Sequence, residues 1–96
     1  RRTKMAEIER VKTIPLTVAL DDAAEKTTYT QLELKAPTLS QAEQFYEKQA
    51  ASTSLAAMRL LIALVSGTRE SVLQPMDFLD FRKCEEYLLS FLTWKP

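Results

Sequence analysis

The chain has 96 residues, 46% hydrophobic and 27% charged, which is the length and composition of one ordinary globular domain with a modest core. Lysine plus arginine and aspartate plus glutamate both number 13, so there is no basic surplus to hold phosphates, and nucleic acid is not an expected partner. There is no histidine and only one cysteine, Cys84. That removes the commonest general base, the commonest transition-metal ligand, any internal disulfide and any thiolate metal cage. No catalytic, cofactor-binding or metal-binding residue is therefore assigned.

Residues 1–12 are dominated by charge and read as a flexible arm. Met5 reads as the natural start, with Arg1–Lys4 left over from expression. The arm is charged but no apolar run follows it, so it does not read as a signal peptide. Glu7 and Glu9 dilute its basic character and argue against RNA or a membrane surface as its target.

Residues 13–96 are predicted to form one α+β domain: an N-terminal β-hairpin over 13–35, packed on a small bundle of three to four helices. Thr13–Leu20 alternates, with Ile14, Leu16, Val18 and Leu20 on one face. Pro15 has no N–H for a ladder, so the strand should face an open edge there. Thr28–Lys35 repeats the pattern, with Leu32 and Leu34 inward and Gln31, Glu33 and Lys35 outward. The polar stretch between them, Asp21–Lys26, lacks the Asn-Gly or Asp-Gly of a two-residue turn and predicts a longer hairpin loop. A lone two-stranded hairpin is barely stable, so its apolar face must lie on helices while its edges stay open to another chain.

Ala36-Pro37 ends the hairpin. Ser40 and Glu43 have the spacing of a capping box, with Thr38 as the alternative cap, and open a helix over about 40–50. Ala42, Phe45 and Tyr46 form its apolar side. Glu43 and Glu47, one turn apart on the polar side with no cleft implied, read as solubilising charge rather than an acid–base pair.

The next helix, 54–66, is the centre of the chain. Leu55–Val65 has Arg59 as its only polar residue, so the helix is apolar nearly all round and should be packed on several sides. It is too short to cross a bilayer. Ser52, Thr53 and Ser54 are candidate caps, and Gly67, the only glycine, fits the left-handed closing residue. Arg59 either lays its stem on apolar surface and reaches water or a carboxylate, or grips a partner's carboxylate.

Thr68–Gln74 reads as one turn or a short helix capped by Thr68, with Val72 and Leu73 inward. Pro75 suits the first turn of a helix, which places the last helix at about 75–92. Its stripe is Phe78, Phe81, Cys84, Leu88 and Phe91 or Leu92, with Asp77 and Asp80 at its positive end. Cys84 lies on the stripe without a base to activate it, and reads as a small buried hydrophobe. Five of the eight aromatics fall between Phe78 and Trp94. Tyr87, Leu89, Phe91 and Trp94 spread apolar character beyond one face, so they are the candidate partner-binding residues. The alternative is that Trp94 folds back to cap the core.

The order of these pieces resembles the tail assembly chaperones of contractile-tailed bacteriophages and prophages. A strand ends in an acidic turn (Leu16–Asp22), and a second leads through a basic residue to a proline (Leu32–Thr38). An apolar helix ends in glycine (Leu60–Gly67), and an acid–Phe pair (Asp77-Phe78) opens a last helix closing on Phe91-Leu92. Similar proteins often carry arginine and a second basic residue before the proline, and a glycine in the turn. This chain has Lys35-Ala36 and no such glycine, so no charge-based role is carried over to that corner. The resemblance implies a non-enzymatic chaperone in the host bacterial cytoplasm. It would bind the tape measure protein, keep it soluble and assist tail tube protein to assemble around it. The final helix, through Tyr87, Leu89, Phe91 and Trp94, would supply either that surface or one for self-association as a homo-oligomer. No cofactor, nucleic acid or membrane is implied. A general protein–protein adaptor or secretion-type chaperone, dimerising and shielding apolar segments, is the competing reading.

Overall fold

The computed structural model describes residues 8–94 and is an α+β structure: a two-stranded antiparallel hairpin followed by four helices. Strands β1 (Val11–Asp22) and β2 (Thr27–Lys35) form the hairpin, and helices α1 (Leu39–Ala51), α2 (Ser54–Ser66), α3 (Glu70–Leu73) and α4 (Phe78–Leu92) follow. Residues 1–7, and with them the Met5 start and most of the expected arm, lie outside the described residues. The last part of that arm is not loose: Val11 and Lys12 belong to β1, and Ile8 packs against the core.

Leu32 and Leu34 point inward and Gln31, Glu33 and Lys35 outward, as their alternation requires. In β1 the alternation fails. Pro15 faces Gln31, but the next paired residue is Leu20 opposite Tyr29, so residues 16–19 stand opposite Thr30 alone. This bulge turns Val18, expected inward, out to solvent, while Ile14 and Leu20 stay in the core. The hairpin loop is shorter than expected, because Asp21 and Asp22 still pair with Thr28 and Thr27. Lys26, at φ 53°, closes the turn.

Three helix starts differ from the simplest sequence reading. Thr38, not Ser40, caps α1: its Oγ1 accepts from the Gln41 N–H at 3.1 Å while Gln41 Oε1 accepts from the Thr38 N–H at 3.0 Å. The box is formed two residues earlier, so Glu43 has no part in it. Arg69, not Thr68, occupies the cap position of α3 and makes no side-chain cap bond; Thr68 is buried. The last helix begins at Phe78, with Asp77 Oδ2 accepting the Leu79 N–H at 3.1 Å. Pro75 sits in the turn before it, where α3 has already ended.

Helix α2 matches its predicted span. Thr53 Oγ1 accepts the Ala56 N–H at 3.0 Å, and Gly67, at φ 72°, closes the helix by donating to the Ala63 carbonyl at 2.9 Å. It packs against α1, β2, α3 and α4, and Ala57, Leu61 and Ile62 are almost wholly buried. Leu34, Met58, Cys84 and Leu88 meet them in one core.

Helix α4 runs along the outer edge of β1 in the opposite direction. Lys83 Nζ donates to the Pro15 carbonyl at 3.3 Å, and the Tyr87 hydroxyl donates to the Glu9 carbonyl. The bulge is gripped by Asp80, whose carboxylate accepts the Thr17 N–H at 2.9 Å and the Val18 N–H at 3.2 Å.

Candidate functional site

Because α4 spends its middle on β1 and the core, its two ends carry the exposed apolar surface. At the C-terminal end, Leu89 is 39% and Trp94 47% exposed. Phe91 is half-buried, and Tyr87 is buried with its ring edge-on to Phe91, centroids 5.1 Å apart. Burial, and then the charge of Glu9, push the Tyr87 hydroxyl above its ordinary pKa. Of the four candidates, Leu89 and Trp94 therefore present surface. Phe91 lines a shallow depression with Ile8, Arg10 and Trp94, and Tyr87 supports it from below.

The N-terminal end carries an apolar groove that the sequence reading passed over. Phe78, expected on the buried stripe, is 51% exposed, Leu79 is 70% and Leu55 of α2 is 52%. Between α2 and the start of α4 lies a cavity of about 150 Å³, lined by Leu55, Arg59, Ile62, Met76, Phe78 and Phe81 among others. Apolar hollows of about that volume hold a benzene ring, so this one has room for a single large side chain. Phe78 stacks on Phe81 at 5.7 Å, and the Arg82 guanidinium lies 4.7 Å from the Phe78 centroid. Arg59 borders the groove with its Nε donating to Glu70 Oε1 at 3.2 Å. This is the carboxylate contact of the first reading of Arg59, supplied from within the chain.

The sequence signal for the groove was present but ambiguous. The spacing of Phe78 and Phe81 fits a buried stripe, and only the late start of α4 puts Phe78 and Leu79 in the first, overhanging turn.

Two buried carboxylates anchor these surfaces. Burial alone would raise the pKa of Asp80, but the N–H groups of Thr17 and Val18 and the Lys83 ammonium, 3.2 Å away, outweigh it and hold the carboxyl below its usual value. Asp22 behaves alike: burial opposes ionisation, while the Glu25 N–H at 3.1 Å and the Arg69 guanidinium favour it. Both groups are spent on holding the hairpin to the helices. Cys84 is buried, and burial followed by the Asp80 charge pushes its thiol to about 12, so it is not a nucleophile at neutral pH.

Among the described residues no group of His, Cys, Asp or Glu is placed to hold a metal ion, and no helix is long and apolar enough to cross a membrane. No curated protein and no solved structure matches the chain. A family model described as phage tail assembly chaperone proteins, E, or 41 or 14, matches residues 13–93, from the first strand to the end of α4. The match covers nearly all of the hairpin and all four helices, and the chain belongs to the phage tail assembly chaperone family.

Proposed function

We propose that this chaperone binds the tape measure protein in the host bacterial cytoplasm, keeps it soluble, and assists tail tube protein to assemble around it, without catalysing a reaction. The observation that carries this reading is the exposed apolar surface at both ends of α4, joined to family membership. A long helical polypeptide exposes apolar stripes along its length, and a small domain with side chains such as Leu79, Phe78, Leu89 and Trp94 in solvent has surface to cover them by helix-in-groove contact.

The test is co-expression with the tape measure protein of the same phage. The wild-type chain is expected to bring the tape measure into the soluble fraction and to co-purify with it. Changing Leu89 and Trp94 together to aspartate is expected to abolish co-purification while the variant remains folded by circular dichroism, because both side chains already meet water. Unchanged binding would remove these residues from the site. Equal binding to unrelated apolar helices would mark the protein as a general adaptor instead.

A further inference from the structure

The two edges of the hairpin are treated differently. The Ala36 N–H donates to the Arg10 carbonyl at 2.7 Å, and this fixes the phase of the ladder, because the residue pairs that exchange hydrogen bonds alternate along an antiparallel pair. Leu34 with Lys12 and Leu32 with Ile14 bond across the hairpin, while residues 11, 13 and 15 of β1 and 31, 33 and 35 of β2 turn their backbone groups outward. The placement of Pro15 agrees, since its missing N–H would have pointed away from β2.

On the β1 side α4 lies along this outward edge and holds it at both ends, at the Glu9 carbonyl and at Pro15 and the bulge. The outward groups of Val11 and Thr13 between them meet no hydrogen-bond partner among the described residues. Lys83 takes the Pro15 carbonyl, and Asp80 takes the N–H groups of the bulge. On the β2 side the outward N–H and C=O groups of Gln31, Glu33 and Lys35 meet no hydrogen-bond partner among the described residues. Their side chains are exposed, and the strand's end borders an open depression of about 380 Å³ lined by Glu33, Lys35, Thr38, Ser66 and Gly67 among others. A strand that carries no bulge of its own and leaves its outward backbone groups unpaired is a template for another strand.

We infer that β2 pairs antiparallel with β2 of a second copy of this chain, about a two-fold axis through Leu34. In that register Glu33 of each copy stands opposite Lys35 of the other, and Leu34 meets Leu34 over the core face. Each Glu33–Lys35 pair exchanges both main-chain hydrogen bonds and places opposite charges side by side. Sliding the strands by two residues either way sets Glu33 against Glu33 or Lys35 against Lys35, which like-charge repulsion disfavours. The ladder ends where Pro37 would have to donate. The product is a four-stranded sheet, a size that supports itself better than a lone hairpin. The zero formal net charge of the chain offers no long-range repulsion between copies.

The test is sedimentation equilibrium of the full chain and three variants, over concentrations from micromolar to about 0.5 mM. Wild type is expected to dimerise. Glu33→Lys and Lys35→Glu, each leaving two like-charged pairs, are expected to weaken the dimer by about tenfold or more. The double exchange, Glu33→Lys with Lys35→Glu, is expected to restore it. Both positions are exposed, so circular dichroism should be unchanged in all three. A wild-type monomer throughout, including one whose edge takes a strand from a different protein, overturns the proposal. So does a dimer indifferent to the single reversals, or a double variant that stays monomeric.

Discussion

Asp80 shows how one residue acquires a role that its neighbours in sequence do not announce. As an acid in the first turn of a helix it satisfies the macrodipole, and nothing nearby distinguishes it from Asp77. In the fold it is fully buried and receives the N–H groups of a strand bulge 62 and 63 residues earlier. Asp80→Asn keeps the size but loses the charge that strengthens those bonds. It is expected to cost about 2 kcal/mol in urea unfolding, in the range for hydrogen bonds to a charged group. The folded pKa of Asp80 lies below its ordinary value of 3.8. Its contribution is therefore complete above that value and is lost as the pH falls through the folded pKa. The Asn variant should show a smaller fall in stability on acidification than wild type. Equal acid sensitivity would assign the effect to Asp22 or other carboxylates.

At the level of elements, legibility followed locality. The span of α2 was readable to its ends because its caps and its apolar run are adjacent in sequence: Thr53, Leu55–Val65 and Gly67. Strand β2 was readable for the same reason. The bulge in β1 was not, because Val18 alternates like any inward residue and is turned outward only by Asp80 of α4. Likewise Pro75 is a good first helical residue by type, yet α3 ends just before it and Asp77 supplies the cap. The competition between Thr38 and Ser40 was local but close, since both are followed three residues later by a side chain able to reach back. Thr38→Ala is expected to destabilise the protein by about 1 kcal/mol, whereas Ser40→Ala, within α1, is expected to change it by less than about 0.5 kcal/mol. Thermal unfolding of the two variants side by side checks this, and the reverse order would restore the Ser40 box.

For the whole molecule, the apolar surplus was visible in composition before its location was. The concentration of aromatics between Phe78 and Trp94 pointed to α4, but only its C-terminal end was singled out. Folding places Tyr87 beneath that surface and opens a groove at the other end, where Leu55 of α2 meets Phe78 and Phe81. No sequence pattern joins Leu55 to Phe78, because the two approach only when α2 and α4 pack. The edges of the sheet follow the same logic: Pro15 forecast an open side of β1, and α4 lies along it and holds it at both ends.

The proposed function requires that these exposed side chains are lent to another polypeptide. Methyl-selective NMR of the leucine-labelled protein, titrated with the soluble fragments of the tape measure protein, tests it most directly. Leu55, Leu79 and Leu89 are expected to shift or broaden while buried Leu61 and Leu88 do not. A tape measure that leaves all three exposed leucines unperturbed at saturating concentration would contradict it.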